Sequence, residues 1–167
     1  MPSSAPIEFL KLIRLLAEAN ADLVVIGGLA LQIHGGDYLT YDADFAMIRR
    51  RENARAIAAA LAPYAPKPVD WPECVPFVLD EQTIMNASIL TLVTDLGRVD
   101  FLAEPAGAPP YEQLKARAST FELEGHTIYV ASIDDLISMK RAAGRPKDLA
   151  HVAELETIQR LLAEEID

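Results

Sequence analysis

The 167-residue chain holds a single cysteine, Cys74, so no internal disulfide can form and the paired cysteine spacings of zinc sites are missing. Its three histidines, His34, His126 and His151, are scattered along the sequence, which argues further against zinc chemistry. Cations are scarce: 15 Lys and Arg stand against 25 Asp and Glu, for a net charge of -10. A polyphosphate backbone repels such a surface unless its cations are gathered in one place. No apolar run approaches the ~20 residues of a membrane span. The opening MPSSAPIEFLKLIR puts no basic stretch ahead of an apolar one, so no secretory signal is visible and a cytoplasmic location, off the membrane, is expected. Aromatic residues make up only 7% of a chain that is 51% hydrophobic. Length and composition together suit one aliphatic-cored α/β domain spanning residues 1–167.

The most informative stretch is VVIGGLALQIHGGDYLTYDADFAM, Val24 to Met47. An apolar strand, Leu23 to Ile26, runs into Gly27 and Gly28; a short helix follows to His34, closed by Gly35 and Gly36. A second strand then presents Asp42 and Asp44. Side chains alternate along a strand, so both carboxylates share one face with their Cα atoms ~6.6 Å apart, while Ala43 faces the core. Like charges on one sheet face repel unless a cation sits between them. Mg²⁺ suits that place, because it favours carboxylate oxygens together with substrate phosphates, and a pair of ions ~3.5–4 Å apart can clamp both oxygens of an in-line displacement. The glycines let the backbone turn tightly and offer N–H groups to an anion. Thr40 suits two roles, touching phosphate or metal-bound water, or simply opening the strand as a β-branched residue.

From Thr83 to Leu102, TIMNASILTLVTDLGRVDFL reads as two β-rich runs around Asp95-Leu96-Gly97, an antiparallel hairpin. Asp100 lies in the second run between Val99 and Phe101, an isolated acid in an apolar strand whose burial is costly without a partner. A nearby metal explains it. Asp95 competes for that role, but its turn position accounts for it, and Glu104 before Pro105 reads as loop.

Around these segments, Ile7, Leu10, Ile13 and Ala17, with Phe9, Leu12 and Leu16, predict an amphipathic helix ending near Asn20. Arg49, Arg50 and Arg51 precede the helix-prone ENARAIAAALA and oppose its macrodipole, which leaves an anionic partner open. Five of the eleven prolines fall between Pro63 and Pro76, so that stretch is a long loop rather than a helix or central strand. Trp71 within it either plugs the core or stacks on a base. A short helix over Tyr111 to Ala118 and a hairpin from Phe121 to Val130 follow. Ser132 with Asp135 caps a helix over Ile133 to Ala143; Gly144 ends it and Pro146 opens the last helix. Glu154, Glu156, Glu164, Glu165 and Asp167 make that helix a solvated face or a surface for a basic partner.

Lys140, Arg141, Arg145 and Lys147 gather within eight residues across the break between the last two helices, in MKRAAGRPKDLAHVAELE. They suit a triphosphate or an acceptor phosphate. They also suit the dipole at a helix C-terminus, worth ~0.3–1 kcal/mol each, with Asp148 at the next N-terminus.

The apolar strand, Gly27-Gly28, helix and Asp42-Ala43-Asp44 resemble the nucleotidyltransferase superfamily that includes DNA polymerase β. Lys140 and the Gly-Arg-Pro-Lys-Asp turn, over a likeness spanning roughly Leu23 to Leu155, resemble the small bacterial nucleotidyltransferases related to abortive-infection and toxin–antitoxin toxins. The resemblance implies a nucleotidyltransferase fold of α/β (α+β) type: a small mixed β-sheet flanked by helices, with a catalytic core of about residues 21–131 and a C-terminal helical segment over 132–167. It implies an enzyme that moves a nucleoside monophosphate from an NTP to a hydroxyl with two Mg²⁺ ions. Asp42, Asp44 and Asp100 would be metal ligands, Asp100 also the base, and Lys140 catalytic. Gly27, Gly28, Thr40, Arg145, Lys147 and Asp148 would bind nucleotide. The expected acceptor is RNA or protein, with an antitoxin-like partner; a small molecule of the antibiotic kind, or a non-catalytic nucleotide-binding module, are the alternatives. Larger members carry an additional helical domain for the acceptor, whereas this chain has only its final helix.

Overall fold

The apolar strands dictate a mixed sheet. The computed structural model describes residues 8–166, in which seven strands form one sheet of order β3-β4-β5-β2-β1-β7-β6. Central β1 (Leu23–Ile26) and β2 (Asp42–Met47) pair antiparallel, with Ile26 opposite Asp44. β2 runs parallel to β5 (Gly97–Leu102), and this register sets Asp42 beside Arg98 and Asp44 beside Asp100. β4 (Ile89–Thr94) forms the expected hairpin with β5, and β6 (Ser119–Leu123) forms another with β7 (His126–Val130). β7 joins β1 in parallel.

Helices cover the sheet. α1 (Phe9–Glu18) buries Leu12, Ile13 and Leu16. Leu10, assigned to that apolar stripe from its spacing, is instead 69% exposed, and Ile7 lies outside the described residues. α2 (Gly27–Ile33) starts on the two glycines and buries Leu29, Ala30 and Leu31. α3 (Arg51–Leu61) uses the small side chains of its alanine run for close packing, burying Ala54, Ile57 and Leu61.

The proline-rich stretch departs from a plain loop: after a 3-10 turn at Ala62–Tyr64, Lys67–Pro68 form β3, paired to β4 at the sheet edge. Proline is tolerated there because an edge strand has one side free of ladder bonds. A second correction concerns Thr83 to Asn86, expected as strand. These residues end α4 (Glu81–Asn86), because Asp80 caps the helix by accepting bonds from the Thr83 amide and hydroxyl; the cap overrides the weak β preference of Thr and Ile.

α5 (Tyr111–Arg117) leads into β6. α6 (Ile133–Ala143) is capped by Ser132, which accepts from the Asp135 amide, and ends on Gly144 at φ +67°. Asp135 does not complete a capping box; its buried carboxylate pairs with Arg117. α7 (Pro146–Ile166) packs against α6 and buries Val152 and Leu155. No helix among the described residues is long and apolar enough to cross a membrane.

Candidate active site

Strand alternation places Asp42, Asp44, Arg98 and Asp100 on one face, while Ala43, Phe45, Val99 and Phe101 are buried behind them. Phe45 and Phe101 stack at 5.7 Å between ring centroids, which locks β2 to β5 beneath the acids. Asp44 and Asp100 are therefore neighbours on adjacent strands. Burial and, after it, the adjacent Asp100 push the Asp44 carboxyl up to about 7. Asp100 Oδ1 is buried and has no hydrogen-bond partner.

Asp42 is less enclosed and is engaged differently. Arg98 Nε lies 3.4 Å from Asp42 Oδ1 and 3.7 Å from Asp100 Oδ1. Among the described residues, no group of three or more acidic, histidine or cysteine side chains is arranged to hold a metal ion. The structure thus assembles the Asp44–Asp100 pair and leaves Asp42 beside it on an arginine. The pair fits a divalent cation such as Mg²⁺: its donors are hard carboxylate oxygens, one of them is buried without a partner, and the like charges are held together.

The glycines have specific neighbours. Gly27 has φ +68°, and a Cβ there would collide with the Asp44 carboxylate. A Cβ on Gly28 would come within 2.8 Å of the Tyr38 ring and 3.1 Å of Thr40. Gly27 seats Asp44, and Gly28 lies beneath Tyr38 and Thr40 rather than facing open space. The Thr40 hydroxyl donates to the Asp42 carbonyl at 2.9 Å, which fixes the entry to β2.

α6 and α7 close the other side. Asp148, fully buried, accepts from Arg145 Nε at 2.6 Å and lies 3.5 Å from Lys140 Nζ. The Arg145 hydrogen bonds hold the Asp148 carboxyl below the usual carboxylate range. Burial lowers the Lys140 ammonium, although Asp148 and Asp44 both counter that. Lys140 therefore pairs with Asp148 and feels the charge of Asp44, whereas Asp148 uses both oxygens on cations of its own chain. Lys147 is exposed and, among the described residues, has no ion-pair partner within reach.

Three neighbours escaped the sequence reading. Arg98 carried a signal, since it stands two residues before Asp100 on the same strand face. His151 lies three residues after Asp148 on α7; it is buried with Nδ1 unpartnered, and burial lowers its pKa. Tyr38, edge-on to His151 at 4.2 Å, comes from a loop and carried none. The Asp37 amide donates to Glu154, so α7 holds this loop over α2.

Other expected participants stay apart. Arg49 to Arg51 lie beyond the far end of β2: Arg49 donates to the Ala87 carbonyl, Arg50 pairs with Glu112 at 3.0 Å and Arg51 with Glu81 at 3.7 Å. Trp71 donates to the Val75 carbonyl and packs on Phe77 at 5.2 Å, clipping its own loop.

The fold is similar to that of solved nucleotidyltransferases. The antibiotic-resistance factor ANT(2'')-Ia superposes with a TM-score of 0.56 at 14% identity, over 99% of this chain and 88% of that one. Its complex with adenylyl-2''-tobramycin gives 0.53 at 15% identity, over 93% and 95%. A Thermotoga maritima protein assigned as a nucleotidyltransferase gives 0.50 at 18% identity, over 94% of both chains. The Megavirus polyadenylate synthase gives 0.52 at 16% identity, over 94% of this chain and 33% of that longer one. No curated protein sequence matches the chain. The sequence model described as nucleotidyltransferase of unknown function (DUF6036) matches residues 7–167, and the chain belongs to that nucleotidyltransferase family.

Proposed function

We propose that this nucleotidyltransferase moves a nucleoside monophosphate from a magnesium-bound NTP to a hydroxyl of a small, cationic acceptor. The observation that carries the chemistry is the Asp44–Asp100 pair, with the Asp100 Oδ1 buried and without a hydrogen-bond partner and Arg98 as its nearest cation, at 3.7 Å. The acceptor oxygen bonds to the α-phosphorus as the bond from that phosphorus to the bridging oxygen breaks; pyrophosphate leaves and the hydroxyl proton passes to Asp100. Lys140, and Arg145 behind it, offset charge developing on the phosphates. Bound Mg²⁺ would be held by Asp44 and Asp100, with Asp42 as a further ligand, and would neutralise the triphosphate.

The charge distribution supports a small acceptor. Arg49, Arg50, Arg51, Arg141 and Arg145 are each engaged by carboxylates or a carbonyl of the same chain. A groove for RNA needs free cations to replace its counterions, whereas a net charge of -10 attracts a cationic small molecule. The factor similar in fold was solved with adenylyl-2''-tobramycin, a product of that class. One feature favours the toxin-like alternative, with an RNA or protein acceptor and a neutralising partner: the outer part of α7 exposes Leu161, Leu162 and Ile166 beside Glu164 and Glu165.

Calorimetric titration of ATP, GTP, CTP and UTP with Mg²⁺ into wild type and Asp44→Asn/Asp100→Asn tests the site. Magnesium-dependent binding of one nucleotide, lost in the variant, is expected; no binding to wild type overturns the reading. The same nucleotide, labelled at its α-phosphate, is then offered with an aminoglycoside, an RNA oligomer and protein extract. Label on the aminoglycoside is expected, and label confined to RNA or protein selects the toxin-like alternative.

A further inference from the structure

We propose that Arg98 is a displaceable internal cation of this site, holding Asp42 and Asp100 in the absence of metal and competing with the divalent ion for both. The inference rests on the assignment of Asp42, Asp44 and Asp100 to metal binding. It begins with register: parallel pairing of β2 with β5 sets Arg98 directly beside Asp42, one step along the same face from the Asp44–Asp100 pair. Arg98 is the only cation on β5. Its Nε addresses the Oδ1 atoms of both Asp42 and Asp100, at 3.4 and 3.7 Å.

These separations are those of ion pairs too loose for good hydrogen bonds. Asp100 Oδ1 accordingly remains without a hydrogen-bond partner although a guanidinium faces it. The Arg98 side chain is 45% exposed, so it has a path to solvent. Three carboxylates on one face repel one another, and a monovalent guanidinium offsets only part of that repulsion. A divalent ion brings twice the charge and direct oxygen coordination, but it needs the oxygens that Arg98 now faces. Arg98 must therefore swing outward as the ion enters.

The test is Mn²⁺ binding without nucleotide, followed by electron paramagnetic resonance of the free ion, for wild type, Arg98→Gln, Arg98→Lys and Asp44→Asn. Arg98→Gln is expected to bind Mn²⁺ about 3- to 10-fold tighter than wild type, the scale of two loose ion pairs made by one half-exposed guanidinium. Arg98→Lys, which keeps the charge, is expected near wild type, and Asp44→Asn is expected to bind little. Unchanged or weaker Mn²⁺ binding in Arg98→Gln, with Asp44→Asn still deficient, overturns the role of Arg98 and leaves the metal site standing. Binding in wild type and Arg98→Gln no stronger than in Asp44→Asn removes the metal site and this proposal with it. Thermal melts of each variant confirm that the comparison is between folded proteins.

Discussion

The Asp44 carboxylate occupies the space that a side chain on Gly27 would fill. Gly27 follows β1 and opens α2 at φ +68°, and Asp44 pairs in register with the preceding Ile26. The tight turn into α2 and the placement of the buried acid are one structural feature, because any Cβ at Gly27 meets both a strained backbone and the carboxylate.

Gly27→Ala is expected to lose about 1–3 kcal/mol of stability, from backbone strain, and to weaken divalent-ion binding by displacing Asp44. Urea unfolding and Mn²⁺ titration measure the two effects. Stability equal to wild type would show that Asp44 yields its position freely.

The Asp44 carboxyl, raised to about 7, makes stability depend on pH in a defined direction. An unfolded aspartate titrates near 4, so between about pH 4 and pH 7 the folded chain binds a proton that the unfolded chain does not. In a chelator, this group therefore contributes stability at pH 5 that is lost as pH rises to 8, amounting to at most about 3 kcal/mol. Urea titrations at stepped pH should show this fall in wild type and its disappearance in Asp44→Asn. Added Mg²⁺ should oppose the fall at pH 8, because the ion binds the deprotonated form.

Asp148→Asn is expected to destabilise the chain by about 3 kcal/mol, because Asp148 is fully buried and is the counter-charge for Lys140 and Arg145. Denaturant unfolding measures the loss. A change below about 0.5 kcal/mol would mean that the two cations find solvent instead.

Trp71→Ala is expected to leave nucleotide affinity unchanged while costing about 1 kcal/mol of stability, the scale of an aromatic pair with Phe77. A tenfold loss of nucleotide affinity would instead assign Trp71 to base stacking.

Local sequence carried much of the fold because alternation and capping are local. Leu23 to Ile26, Asp42 with Asp44, the β4–β5 hairpin and the Ser132 cap could be read from residues within a few positions of one another. Where two local signals competed, the weaker was read: Thr83 to Asn86 carry β-branched residues, yet the Asp80 cap makes them helix. Leu10 shows the limit of periodicity, since α1 turns Leu12, Ile13 and Leu16 inward and leaves Leu10 in solvent.

The sequence by itself determined that two acids share a strand face, that a third stands in an apolar strand and that the scarce cations cluster at a helix break. Each follows from backbone period or composition. Only the tertiary structure decided which charges meet. Strand order put Asp100 beside Asp44 and Arg98 beside Asp42. Helix packing buried Asp148 between Lys140 and Arg145, and laid Tyr38 over Gly28 and against His151. Electrostatic energy depends on separation and burial, and for residues far apart in the chain those quantities exist only once the sheet has formed and the helices have closed over it.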